Sequence, residues 1–179
     1  MDAREILCDT RQHAGKHENK MGWWASNGVH TRVQKLDFGD YMVDGSNVSV
    51  DTKRNVAEIA QNIGGKNHQR FREECKRAQN AGYRLVVLVE NEDGYERLEH
   101  VCQWTNTHCT ACKQMRLGQC DPHDASAKCA RHGTRKPIQG ERLAKAMHTM
   151  QQRYGVRFEF CRPSDSAERI CELLGVAHE

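Results

Sequence analysis

A chain of 179 residues, 37% hydrophobic and 28% charged, is long enough for one domain with a real core and one small appendage. A net charge of only +3 excludes a polycation that grips nucleic acid through bulk charge, and no apolar run reaches membrane-spanning length, so no membrane partner is expected. The amino end lacks a secretory pattern, so a cytoplasmic protein is expected, and its nine cysteines are not expected to form a disulfide framework.

Residues 5–9 predict a short buried strand that ends in an acid, Asp9. Residues 13–28 are polar and contain glycine, which predicts a loop carrying Trp23 and Trp24 as core anchors rather than base-stacking platforms. A second strand is predicted over 30–36 and a third over 48–53, with Gly39-Asp40-Tyr41 on the turn before it. Val56, Ile59, Ala60 and Ile63 then recur at helical spacing, and Gly64-Gly65 breaks the helix. A second helix is predicted over 67–80, with Phe71, Cys75 and Ala78 inward. The continuous apolar run 85–89 reads as a strand buried on both faces.

Residues 94–108 lead through Trp104 into a cysteine-rich stretch that closes at 137–140. A helix over 141–154 follows, with Leu143, Met147 and Met150 on one side, then an alternating strand over 156–161. Pro163-Ser164 predicts the start of a last helix, with Ser164 as its cap and Ala167, Ile170, Leu173 and Leu174 inward. Strands first and alternating units later predict an α/β sandwich around a central mixed sheet. The expected division is a core of residues 1–100 and 138–179 interrupted by an insertion of 101–137.

The chemistry sits on the third strand. Strand residues two apart share a face, so Asp51 and Lys53 point the same way and Asp40 converges on them from the turn. Two carboxylates suit a hard cation such as magnesium, and a lysine beside them steadies an attacking water or charge on phosphorus. That set suffices for metal-dependent phosphodiester cleavage. The same acid-x-lysine pattern also occurs on solvated strand edges, so its neighbours decide.

Four cysteines and two histidines fall between residues 109 and 132, which argues for metal rather than redox chemistry. Cys109, Cys112, Cys120 and Cys129 are the simplest zinc set, with His123 or His132 replacing one of the last two as the alternative. Few apolar residues surround them, so the segment needs metal to fold. Lys113, Arg116, Lys128, Arg131, Arg135 and Lys136 outnumber Asp121 and Asp124 there, a basic balance that suits a phosphate backbone or an ordinary solvated face.

Asp9-Thr10-Arg11, Gly39-Asp40-Tyr41 and Asp51-Thr52-Lys53, in that order, resemble the motifs of the XPF nuclease family of the PD-(D/E)xK, restriction-endonuclease-like superfamily. Ile63-Gly64-Gly65-Lys66 and Gln69-Arg70-Phe71 resemble that family's segment before its long helix. Residues 85–90 and 143–160 resemble its later core elements. The chain departs from the family at Gln12 and Thr52, where the family has a glutamate and an arginine. Asp51 stands for a glutamate, and Ala57 takes the place of the final acid, with Glu58 one step further on.

The resemblance implies a restriction-endonuclease-like α/β/α sandwich and an endonuclease acting on DNA, at branched or flap structures. Asp40 and Asp51 would bind magnesium or manganese, Asp9 would help hold the metal or its water, and Lys53 would position the nucleophile. Arg11, Arg54, Lys66 and Arg70 would contact nucleic acid. It further implies paired domains, hence a homodimer, and a short version of the kind found in phages and prophages. The other reading is a non-catalytic DNA-binding scaffold that keeps the fold.

Overall fold

The computed structural model describes residues 4–11, 15, 17–124 and 126–178. Gln12, the departure at the first motif, lies outside them.

A six-stranded sheet forms the centre, in the order β2-β1-β3-β4-β5-β6. Its strands are β1 (Ile6–Asp9), β2 (Thr31–Gln34), β3 (Tyr41–Val43), β4 (Val48–Lys53), β5 (Arg84–Glu90) and β6 (Arg157–Cys161). β1 runs parallel to β2 and antiparallel to β3, and β3 is antiparallel to β4. β4, β5 and β6 are parallel. The expected mixed sheet is therefore present.

Helices cover both faces. α2 (Val56–Gly64), α3 (His68–Asn80) and α6 (Gly140–Tyr154) pack on one face, where Ile59, Phe71, Val87, Leu143 and Met147 form the larger core. α1 (Glu18–Ser26) and α7 (Ser166–Leu174) pack on the other, over Ile6, Trp24, Tyr41, Val50, Leu88 and Ile170. The strands alternate between the two cores, which makes β5 apolar from Leu85 to Val89: Val87 and Val89 join one core, Val86 and Leu88 the other.

Local rules explain the better-defined elements. α2 carries its apolar stripe at Val56, Ile59, Ala60 and Ile63 and is capped by Asn55, whose Oδ1 accepts from the Glu58 amide at 2.9 Å. α6 ends where Gly155 adopts φ 63°, a left-handed turn that glycine enters without a Cβ penalty.

Several expectations need correction. Residues 18–26 are helical rather than loop: α1 is held by the fully buried Trp24, whose Nε1 donates to Ala167 O at 3.0 Å. Lys20 adds a buried ion pair to Glu90 at 2.6 Å, and Ser166 Oγ donates to the same Glu90 oxygen at 2.6 Å. Tyr41, expected on a turn, opens β3. The last helix starts at Ser166 after a 3-10 turn over Pro163–Asp165, so Ser164 is not its cap.

The insertion leaves the core through a narrow neck. Val101 and Trp104 are still buried in the larger core. Beyond them the Asn106 amide donates to Gln139 Oε1 at 2.9 Å, and Gly140 N donates to Trp104 O at 2.9 Å. Among the described residues between these ties lie only the short helices α4 (Thr107–Thr110) and α5 (Lys113–Arg116) and turns. Among the described residues no helix is long and apolar enough to cross a membrane.

Candidate active site

The carboxyl ends of β1 and β4 meet the amino end of β3 at one edge of the sheet, because β3 is antiparallel to both. Asp9, Asp40, Asp51 and Lys53 are all on this edge. The backbone sets Asp40: its amide donates to Val50 O at 2.7 Å and its carbonyl accepts from the Asp9 amide at 2.9 Å. Gly39 makes the approach possible. It sits at φ 70°, and a Cβ there would fall 2.1 Å from Ser49 Oγ and 3.0 Å from Val50 O.

Asp51 and Lys53 share the face of β4 beside Val87 and Val89, as their spacing requires. Both are buried, Asp51 5% and Lys53 8% exposed. Lys53 Nζ donates to Asp51 Oδ1 at 2.8 Å and stands 2.6 Å from Oδ2. It also lies 5.6 Å above the Phe71 ring, which limits where the ammonium can go. Despite that short Nζ contact, Asp51 Oδ2 is a buried atom with no properly directed hydrogen-bond donor among the described residues.

Burial and the nearby Asp40 charge outweigh the lysine, so the Asp51 carboxyl is raised to about 6. The Lys53 ammonium is pushed upward by Asp51, which overcomes its own burial. The lysine is therefore charged at neutral pH.

Asp40 faces Thr52, the residue standing in place of the family's arginine. Asp40 Oδ2 accepts from the Thr52 amide at 2.8 Å and from its hydroxyl at 2.6 Å. Asp9 accepts from the Leu36 amide at 3.0 Å through Oδ1 and from Arg11 Nε at 2.7 Å through Oδ2, while Arg11 Nη2 donates to Leu36 O at 2.5 Å. Asp9 thus clamps the segment after β2 with both oxygens engaged.

Arg54 is exposed at the start of α2, and its amide and guanidinium both reach Glu58 Oε2, at 3.0 and 3.4 Å. Glu58, the nearest acid to the family's missing one, is thereby bound to the helix start. Lys66 and Arg70 are exposed around the α2–α3 turn.

The structure adds an acid that sequence reasoning missed. Glu74 reaches from α3 to accept from the Gly39 amide at 3.2 Å, so it stands against the residue before Asp40. Its carboxyl is raised, first by burial and then by the Asp51 charge. Only its place on the inner side of α3, three residues after Phe71 and one before Cys75, hinted at this.

In the insertion, Cys109, Cys112, Cys120 and Cys129 line one cavity of about 310 Å³ together with His108 and His132. His123 does not line it; its Nε2 pairs with Thr105 Oγ1 at 2.9 Å. Burial raises the Cys109 thiol, opposed by a 3.3 Å hydrogen bond from Gln139 Nε2, and the other three cysteines add to the rise. Among the described residues no three His, Cys, Asp or Glu side chains stand close enough to hold a metal as placed, either here or at Asp51. Lys128, Arg135 and Arg142 line an adjoining groove, while the Lys136 ammonium is occupied by Asp121 O and Asp124 O, both at 2.6 Å.

A family model described as the ERCC4 domain matches residues 8–173. Among solved structures, XPF from Aeropyrum pernix superposes with a TM-score of 0.57 at 17% identity over 95% of this chain and 63% of that one. A second, of the same protein in complex with DNA, gives 0.57 at 16% identity over 96% and 64%. At these identities the likeness is one of fold, and the chain spans less than two thirds of either structure. No curated protein matches it.

Proposed function

Because the chain belongs to the ERCC4-domain, XPF-type family, whose model it matches over residues 8–173, we propose that it is a metal-dependent DNA endonuclease. The observation that carries this reading is the buried Asp51–Lys53 pair, close enough to Asp40 for the two carboxylates to feel each other's charge, where the carboxyl ends of β1 and β4 meet. Magnesium or manganese suits an oxygen-donor set of this kind, and both metals bind through one or two carboxylates while keeping several waters. Asp40 and Asp51 would hold it.

Such an ion would lower the pKa of a water bound to it and offset charge at the scissile phosphate. The chain's own residues do the rest. Lys53, kept charged by Asp51 and restrained over Phe71, orients the attacking water and opposes the growing phosphorane charge. Thr52 fixes the Asp40 carboxylate through two hydrogen bonds, so its orientation costs nothing at the moment of reaction. Asp9 and Arg11 brace the segment after β2 and act at one remove. Exposed Arg54, Lys66 and Arg70 flank this face as phosphate contacts.

The DNA of the second superposed structure supports the choice of DNA as substrate, and a branched or flap junction and a homodimer are what the resemblance to the XPF nuclease family implies. The four cysteines around one cavity support a structural zinc site that closes by side-chain shifts, with His132 as the alternative ligand. Such a site would stiffen the lobe whose Lys128 and Arg135 line, with Arg142 of α6, a groove suited to phosphate. A second reading, a DNA-binding scaffold without turnover, is favoured by one observation: Thr52 and Ala57 replace two charged residues of the family pattern.

Cleavage of labelled duplex, single-stranded, flap and four-way DNA by wild type and Asp51→Asn, in Mg²⁺, Mn²⁺ or EDTA, separates the two readings. The nuclease reading expects metal-dependent cuts that fall by about 10²–10³ in the variant, the scale of one lost electrostatic stabiliser. Gel-shift binding should persist. No cutting of any substrate by folded wild type would establish the scaffold.

A further inference from the structure

Ala57 leaves the family's last acidic position empty, and Glu58 is bound to the Arg54 amide and guanidinium at the start of α2. Glu74 approaches the same ground from another helix. Its Oε1 takes the Gly39 amide at 3.2 Å across 35 residues of sequence, and its charge is felt by Asp51 and Lys53. Asp51 is buried, and its Oδ2 stands 2.6 Å from the Lys53 ammonium and takes no other donor among the described residues. Resting on the reading of Asp40 and Asp51 as the cation site, we propose that Glu74 is that site's third carboxylate, a positioning residue that acts on the ion through one of its waters.

The geometry fits an outer-sphere role. No three acids here close directly on a point, while a small divalent ion keeps several waters that need acceptors. A carboxylate pinned by the amide of the residue before Asp40 would accept from such a water and add a negative charge without entering the inner shell. The family's missing acid is thus replaced in space by a residue from a different element.

The test measures Mn²⁺ binding to the full chain without DNA, by titration calorimetry and by paramagnetic resonance of free Mn²⁺. Manganese prefers oxygen donors and so reports on this site rather than on the cysteines. Glu74→Gln keeps an acceptor for the Gly39 amide and removes the charge, whereas Glu74→Ala removes both. Both variants are expected to bind Mn²⁺ roughly tenfold more weakly, as loss of an outer-shell partner does, with thermal melts confirming that they are folded. Wild-type affinity in Glu74→Gln with loss only in Glu74→Ala would reduce Glu74 to a brace for Gly39 and overturn the proposal. Asp51→Asn is measured alongside. If it too binds as wild type, the cation site itself is wrong, which separates that failure from a failure of Glu74 alone.

Discussion

Replacing Lys53 by methionine isolates what the buried ion pair contributes. The two side chains are 10% and 7% exposed, and their charged atoms lie 2.6 Å apart. At an effective dielectric constant near 20 the gross attraction is about 6 kcal/mol. Much of that offsets desolvation, yet removing one partner leaves an uncompensated buried carboxylate and costs about 3–5 kcal/mol. The cost should also depend on pH. With Lys53 present, Asp51 is raised from 3.8 to about 6. A raised acid contributes stability that is fully present below 3.8 and lost as pH rises through about 6.

Without the lysine, the strongest influence holding Asp51 down is gone, and its pKa moves further up. The variant then goes on losing stability above pH 6, where the wild type has finished losing it. The gap between them should widen by about 1.4 kcal/mol per pH unit over that interval. Urea denaturation at pH 6, 7 and 8 in EDTA measures it. The double variant Asp51→Asn, Lys53→Met should be more stable than Lys53→Met alone, because no charge is left behind. A pH-independent loss below about 1 kcal/mol would refute the reasoning and reduce the pair to the worth of a surface contact.

Two further outcomes are expected. Gly140→Ala should cost about 3 kcal/mol or more, because its Cβ would fall 2.2 Å from Val101 O, 2.6 Å from Cys102 O and 2.7 Å from Trp104 N, all backbone atoms that cannot swing aside. A melting temperature unchanged by calorimetry would contradict that crowding at the neck of the insertion. The purified chain should carry one tightly bound zinc by elemental analysis, and Cys112→Ser should lose it. The variant's new protease cuts should then fall between residues 106 and 139, with the sheet core intact. An absence of zinc, together with an unchanged digestion pattern, would count against the site.

How much was legible follows from how local each signal is. The stripe of α2, the alternation of β6, the doubly buried β5 and the shared face of Asp51 and Lys53 are patterns within one element, where backbone periodicity alone decides which side chains meet. β3 and α1 are different. β3 has three residues and exists because β1 and β4 both pair with it. α1 is held by Trp24 and Lys20 contacts to Ala167 and Glu90, far along the chain. β3 is too short to show a period, and α1, as long as α2, carries no apolar stripe: only Lys20 and Trp24 of it are buried.

The sequence by itself determined the acids and lysine of the motif, the face they share, the parsing of the core helices and the cysteine content of the insertion. Tertiary structure alone decided that Asp9 clamps the Leu36 segment, that Thr52 holds Asp40, that Glu58 belongs to the start of α2, that His123 turns to Thr105, and that Glu74 arrives at Gly39. The physical reason is reach: periodicity relates residues a few positions apart, whereas these partners meet only after the helices dock on the sheet and bring distant backbone amides and carboxylates within hydrogen-bonding distance.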